Sequence, residues 1–151
     1  MELAQFLIKA HISGYATGGE GKELKLEDGG MCFYYKEHEL EDTDIYYGFN
    51  PFIGQEIVRQ EGKAIWVMNY YGETSLQGKE AVTLYRFLKL ALQNPDPELP
   101  LRGPTDYKKE NYAYSNSVTG NIDSFSGEEI IRIDSKPVYK CYYHGGAIKK
   151  G

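Results

Sequence analysis

Phe52 to Gly72 reads FIGQEIVRQEGKAIWVMNYYG, and Phe125 to Gly145 reads FSGEEIIRIDSKPVYKCYYHG. The two stretches align without a gap at an offset of 73, and 8 of 21 positions are identical. Each consists of two strand-like runs around a short polar turn, Glu61-Gly62 in the first copy, which is typical of a β-hairpin. The sequence therefore predicts an α+β fold with a curved antiparallel sheet that contains an internally duplicated hairpin (residues 52–72 and 125–145).

Two helices are predicted beside this sheet. Apolar residues recur at helical spacing near the N-terminus, which predicts a short amphipathic helix from Glu2 to Ile12. From Lys79 to Gln93 the polar residues form only a narrow stripe, so a long, mostly apolar helix must be covered on most sides. Either the curved sheet grips this helix, or a second subunit shares it.

The remaining strands follow from runs of β-branched and aromatic residues between turn signals. They are predicted at Glu23–Glu27, Met31–Glu37, Asp44–Phe49 and Tyr107–Val118, which gives the order α-β-β-β-β-β-α-β-β-β. Glu39–Asp42 is predicted to be a turn within a solvated acidic segment, and TGGEG (Thr17–Gly21) is predicted to be a loop. The proline-rich segment Asn94–Asp106 is predicted to be a connector within a single domain, residues 1–151, because the repeat resumes after it.

Composition excludes several classes of protein. The net charge is −5 and no run of Lys or Arg offers a phosphate footprint, which argues against direct nucleic-acid binding. No apolar stretch approaches the roughly 20 residues that span a bilayer, and the N-terminus does not resemble a secretory signal. Cys32 and Cys141 lie in strand-like sequence, where reduced, packed thiols are expected. A cytoplasmic protein without cofactor or membrane attachment is expected.

The predicted hairpin register singles out Glu56. With regular pairing from a two-residue turn, Glu56 lies opposite Val67 and has no cationic partner, whereas Glu129 lies opposite Lys140. A carboxyl group buried among apolar side chains has a raised pKa. Glu56 is therefore a candidate catalytic acid or base. The alternatives are that Lys63 or a loop residue satisfies it, or that its side chain is simply exposed.

A second catalytic candidate is His144, which precedes Gly145-Gly146 and could act as a general base near a mobile backbone. No serine or cysteine is visibly paired with it, and the GxSxG pattern is absent. Cys141 and His144 form a C-x-x-H pattern, but residues three apart on a strand point to opposite faces. No metal site is therefore predicted.

Tyrosine is the compositional outlier, with 14 copies. Tyrosine suits a pleated surface, and the excess also fits an aromatic groove for a small ligand. The residues predicted to line such a pocket are Trp66, Tyr70, Tyr139 and Tyr143. Arg102, in the proline-stiffened segment LRGP, could clamp an anionic ligand, although loop rigidity explains it as well.

Five segments together resemble a bacterial family of domains of unknown function: FIGQEIV, VMNYYG, LRGP, FSGEEII and YYHGG. The resemblance spans Leu3 to Gly146. It implies either a stand-alone small protein or a C-terminal partner of a helix-turn-helix DNA-binding domain, and hence a sensor or effector module. It supplies no catalytic residues, and this sequence contains no helix-turn-helix segment.

Three functions are consistent with these patterns. The first is a non-catalytic binding or sensor module whose tyrosine-rich sheet holds a small, partly apolar ligand, oriented by Glu56 or Arg102. The second is a small enzyme that uses Glu56 or His144 as general base. The third is a homodimeric interaction module that uses the second apolar face of the sheet or the helix Lys79–Gln93.

Overall fold

The computed structural model describes residues 1–16 and 23–149, so the predicted loop at Thr17–Gly21 lies outside the described residues. Two helices and nine strands occur in this part of the chain. They are α1 (Leu3–Ser13), β1 (Leu24–Lys25), β2 (Met31–Glu37), β3 (Leu40–Gly48), β4 (Phe52–Gln60), β5 (Lys63–Thr74), α2 (Gly78–Leu92), β6 (Asp106–Lys109), β7 (Tyr112–Asn121), β8 (Ser124–Ile133) and β9 (Lys136–Ala147).

All of these strands form one antiparallel sheet in the order β1-β2-β3-β4-β5-β9-β8-β7-β6. The sheet is not closed, because β1 and β6 are its two edges. Strands β5 and β9 pair at the middle and join a first half, β1–β5, to a second half, β6–β9. Each half follows a helix, so the predicted α+β class with an antiparallel sheet is confirmed.

The two predicted hairpins form with the same turn and the same irregularity. Glu61 and Gly62 have φ values of 50° and 80°, and Asp134 and Ser135 have values of 50° and 69°. A two-residue hairpin turn of this type requires positive φ at both positions. In each hairpin the register then shifts by one residue close to the turn, at Val58/Arg59 and at Ile131/Arg132.

This β-bulge corrects the predicted pairing of Glu56. Glu56 pairs with Met68 and Val58 pairs with Trp66, whereas regular pairing had placed Glu56 opposite Val67. A bulge adds one residue to one strand. Beyond the bulge each residue therefore pairs with a different partner, and side chains that regular pairing would place on opposite faces lie on the same face. Glu56 therefore shares a face with Trp66 and Met68.

The same shift contradicts the predicted ion pair between Glu129 and Lys140. Glu129 pairs with Cys141, and its side chain is fully buried. Lys140 instead approaches the half-exposed Glu128 at 4.0 Å on the other side of the sheet.

Two predicted boundaries also differ from the structure. Strand β3 already begins at Leu40, and the turn before it consists of His38, which has a φ of 55°, and Glu39, so only the first residue of the predicted turn Glu39–Asp42 lies in a turn. Asp42 is a buried strand residue rather than part of a solvated acidic segment. The single strand predicted at Tyr107–Val118 is two strands, β6 and β7, which gives one strand more than expected.

Both helices pack on the same side of the sheet, which we call the helix-covered face. Its core joins helix residues to strand residues, including Phe6, Leu7, Leu84, Leu88, Val58, Trp66, Met68, Tyr114 and Ile131. The opposite, open face exposes large side chains such as Ile53, Tyr71 and Tyr142. Neither α1 nor α2 has the length and apolar character needed to cross a membrane. Cys32 and Cys141 are buried free thiols.

Candidate functional site

Three carboxyl groups lie together on the helix-covered face of the first half. Asp42 and Asp44 are alternate residues of β3, and Glu56 of β4 pairs directly with Asp44. Because alternate strand residues share a face, all three side chains point toward α1. Asp42 is 3% exposed and Glu56 is 1% exposed. We call these three residues the acidic cluster.

His11, in the last turn of α1, closes this cluster. Its Nε2 lies 2.7 Å from both carboxyl oxygens of Glu56. Two lone-pair acceptors do not approach this closely without a proton between them, so the pair shares at least one proton. Burial lowers the pKa of His11 and raises the pKa of Glu56 well above its usual range, an increase to which the charge of Asp44 adds.

The two aspartates hold different partners. Burial, followed by the charge of Glu56, raises the pKa of Asp42 well above its usual range. Burial raises the pKa of Asp44. The hydroxyl of Tyr70 donates a hydrogen bond of 2.6 Å to Asp44, which lowers the pKa, but the effect of burial is larger and the pKa is raised overall. The acidic cluster therefore keeps protons at a pH at which exposed carboxyl groups have lost theirs.

Glu129 occupies the equivalent place in the second half, and it is fully satisfied. It accepts hydrogen bonds from Arg102 Nη2 at 3.0 Å, from the hydroxyl of Tyr139 at 3.0 Å and from the hydroxyl of Tyr114. Burial lowers the pKa of the Arg102 guanidinium, but the neighbouring Glu129 carboxylate raises it, and the pKa is raised overall. Arg102, from the loop between α2 and β6, also stacks over the ring of Tyr70 at 5.1 Å.

The two halves therefore carry different side chains on the same framework. Asp42 pairs with Val58 in the first half, and Tyr114 pairs with Ile131, the equivalent of Val58, in the second half. Asp44 pairs with Glu56 in the way that Asn116 pairs with Glu129. The first half is acidic at two positions where the second half is neutral.

Tyr70 and Tyr143 lie at the junction of the halves, where they pair with each other across β5 and β9. Each ring covers a glycine on the neighbouring strand. A Cβ atom on Gly54 would overlap the Tyr70 ring, and one on Gly127 would overlap the Tyr143 ring. This close approach explains why both copies of the repeat have glycine and tyrosine at these positions.

Two adjoining cavities open between the helices and the first half of the sheet. The acidic cavity has a volume of about 40 Å³ and is lined by the acidic cluster, His11 and Arg102, among others. The aromatic cavity has a volume of about 250 Å³ and is lined by six rings: Tyr15, Tyr46, Phe49, Phe52, Tyr70 and Tyr85. The cavities share four wall residues, Tyr15, Asp44, Tyr70 and Arg102.

Helix α2 forms the remaining wall of the aromatic cavity with Val82, Tyr85, Arg86 and Lys89. The ammonium group of Lys89 lies 5.0 Å from the centre of the Tyr15 ring. Burial raises the pKa of Tyr85 to about 12, and its hydroxyl has no hydrogen-bond partner in the described part of the chain. The aromatic cavity is thus mostly apolar, with a few polar groups aimed into it, as small-molecule sites usually are.

The predicted site residues divide between the cavities and the core. Tyr70 and Arg102 line both cavities, and Glu56 lines the acidic cavity. Trp66 is 0% exposed, and its indole N–H donates to the carbonyl of Ile122 at 2.9 Å. It lines neither cavity, because the bulge turns it into the core.

Tyr139 and Tyr143 are also core residues beside the second half. Their hydroxyls donate to Glu129 and to Asn116, respectively. Neither tyrosine lines the acidic or the aromatic cavity.

His144 lies on the other side of the sheet from Glu56, so the two catalytic candidates are not brought together. It is exposed and borders a third cavity, of about 640 Å³, on the open face. Ile53, Tyr71 and Tyr142 line the same cavity.

Sequence reasoning missed His11, Asp42 and Asp44. A signal for the aspartates was available, because Leu40, Asp42, Asp44 and Tyr46 alternate, and a buried leucine at one end of such a series places the others on its face. His11 follows Leu7 by one helical turn, which places it on the buried side of α1.

Among the residues that the structure describes, no group of three or more His, Cys, Asp or Glu side chains is arranged to hold a metal ion. The fold and its cavities define an α+β domain in which one antiparallel sheet and two helices enclose a site with buried charges. The chain belongs to the family described as a domain of unknown function, DUF5680, which matches residues 44–148. Comparison with curated proteins gave no match, and comparison with solved structures gave none either.

Proposed function

We propose that this domain is a non-catalytic binding or sensor module that holds a small, partly apolar molecule in the acidic and aromatic cavities. The observation that carries this proposal is the aromatic cavity of about 250 Å³, whose six rings adjoin the charged side chains Asp44 and Arg102. Apolar walls bind the body of a ligand, and a few fixed charges orient it. Groups with strongly shifted pKa values, such as Glu56, favour a functional site at this place.

The divergence of the two halves supports the same proposal. The equal turns and bulges of the two hairpins support an internal duplication. On that view one copy kept a satisfied, structural glutamate, Glu129, and the other became a binding site around Glu56. The resemblance noted from the sequence would make such a domain either a stand-alone cytoplasmic binding protein or the sensor of a bacterial DNA-binding regulator.

Val82 offers a direct test, because it is 41% exposed and lines the aromatic cavity. A thermal-shift screen against metabolites, nucleotides and amines comes first, and a ligand at roughly 100 times its Kd should stabilise the fold by about 2.7 kcal/mol. Val82→Trp should then fill the cavity and weaken binding of the compound found by about tenfold or more, measured by calorimetry, without loss of stability.

The matched control is Thr83→Trp, since Thr83 is the next helix residue, is exposed, and does not line the cavity. This variant should bind like the unmodified protein. Equal affinities in Val82→Trp and Thr83→Trp would place the ligand elsewhere, and a screen without any stabilising compound would contradict the binding function.

A second candidate function is general acid–base catalysis at Glu56, which the proton shared between Glu56 and His11 favours. A compound that stabilises the protein would be incubated with it and analysed by mass spectrometry. Conversion that is lost in Glu56→Gln would support catalysis, whereas quantitative recovery of the unchanged compound would contradict it.

A further inference from the structure

Two aspartates in the wall of the acidic cavity, the buried Asp42 and the half-buried Asp44, have no cationic partner. The ion pairs in the described part of the chain all use glutamates, whose partners are Lys9, His11, Lys36, Arg102 and Lys140. Asp44 accepts a hydrogen bond from Tyr70, but Asp42 Oδ1 is buried and accepts none. A buried oxygen without a donor costs free energy, so this atom can gain from a donor that the fold does not provide.

The cations nearest to the aspartates are already engaged. His11 is held by Glu56 at 2.7 Å, and the Arg102 guanidinium is held by Glu129 at 3.0 Å. Neither side chain donates a hydrogen bond to Asp42 or Asp44. The wall of the acidic cavity therefore presents acceptors, with no donor of its own directed to Asp42 Oδ1.

The second half of the sheet indicates that the fold does not require these carboxyl groups. At the positions of Asp42 and Asp44 it has Tyr114 and Asn116, and the pairing of the strands is the same. The two aspartates are therefore features of this cavity rather than of the sheet.

We propose that the ligand of the two cavities is an organic amine, whose nitrogen donates to Asp42 and Asp44 and whose apolar body lies among the rings of the aromatic cavity. This inference rests on the proposed binding function and adds the chemical class of the ligand. A cavity needs only about 10–15 Å³ to hold one water molecule, so about 40 Å³ accommodates an ammonium head group.

Proton balance is consistent with this ligand. In the empty site, burial and the charge of Glu56 raise the pKa of Asp42, so its carboxyl group retains a proton. An ammonium group would replace this proton, which leaves to the solvent, and the Asp42 carboxylate would then accept a charge-assisted hydrogen bond.

Three probes that share a phenyl ring and a short chain differ only in their polar group. They test whether the site prefers an amine separately from whether it binds a small molecule at all. Phenethylamine, phenylethanol and phenylpropanoate would be titrated into the full chain by calorimetry. The amine should bind about tenfold more tightly than the alcohol or more, because a charged donor makes the stronger hydrogen bond. If the alcohol or the acid binds as tightly as the amine, the amine inference is wrong and the binding function stands. If none of the three binds at millimolar concentration, the amine inference is overturned, and the thermal-shift screen decides the binding function separately.

Asp42→Asn tests the role of the carboxyl group itself, because asparagine keeps its shape but carries no negative charge. Affinity for phenethylamine should fall about tenfold, and affinity for phenylethanol should not change. The control is Glu41→Gln, since Glu41 is the adjacent residue, points to the other face and pairs with Lys36 at the surface. Unchanged amine affinity in Asp42→Asn would overturn the proposal, and the probe comparison on the unmodified protein decides the matter even if this variant does not fold.

Discussion

Replacing Arg102 by methionine should lower the free energy of unfolding by about 3–5 kcal/mol, as measured by chemical denaturation. The side chain of Arg102 is 9% exposed and that of Glu129 is 0% exposed, so water cannot replace the lost cation. Tyr114 and Tyr139 would still donate to Glu129, but two neutral donors do not compensate a full buried charge. Methionine retains most of the length and apolar contact of arginine, so the loss reports mainly on charge.

Lys140→Met is the matched control, because regular hairpin pairing would have made Lys140 the partner of Glu129. In the structure its side chain is 50% exposed and 4.0 Å from Glu128. Its replacement should change stability by no more than about 0.5 kcal/mol. The double variant Arg102→Met/Glu129→Gln should be less destabilised than Arg102→Met alone, since the stranded charge is removed with its partner. A loss in Lys140→Met equal to that in Arg102→Met would mean that Glu129 has been assigned the wrong cation.

Local signals explain how much of the fold could be predicted. The hairpin around Glu61-Gly62 was predictable because its apolar runs and its turn lie within a few residues of each other. Helices α1 and α2 follow the predicted ranges Glu2–Ile12 and Lys79–Gln93 within one residue at each end. The bulge was not predictable in this way, because it adds a residue without changing the local composition, and it decides which face Glu56 occupies.

The site depends on contacts between distant parts of the sequence, and this is why it was only partly predictable. Glu56 stood out because a carboxyl group lay among apolar residues, and the structure places it in a buried cluster. Its partner His11 lies 45 residues earlier, in another element, and no local pattern connects the two. The proline-rich segment draws attention to Arg102 in the sequence, whereas its partner Glu129 becomes evident only in the structure, where the loop lies beside strand β8.

Asp42→Asn should stabilise the unliganded protein, and the gain should increase with pH. In the folded protein, burial and then the charge of Glu56 raise the pKa of Asp42 above its unfolded value, 3.8. A group of this kind contributes stability that is fully present below its unfolded pKa and is lost as the pH rises through its folded pKa. Asparagine cannot ionise, so at high pH the variant avoids the cost of a buried charge and should be more stable by about 2–3 kcal/mol.

The groups that surround Asp42 determine how this experiment is controlled. They are Glu56 on β4, Asp44 on β3 and His11 on α1. Burial lowers the pKa of His11, so its contribution has the opposite sign and is lost as the pH falls below its unfolded value, 6.5. The charge of Asp42 also raises the pKa of His11, so the difference at pH 4 includes both groups, whereas at pH 9 both His11 and its unfolded form are neutral and the difference reports on Asp42. Glu41→Gln is the exposed carboxyl control at both pH values.

A residue whose replacement stabilises the empty protein is one that the fold itself does not need. If Asp42→Asn gains stability at pH 9 and also loses affinity for phenethylamine, the carboxyl group is retained for its ligand at a cost in stability. If the variant is instead destabilised equally at both pH values, Asp42 is an ordinary structural hydrogen-bond partner. The acidic cavity would then be a structural counterpart of the closed core around Glu129.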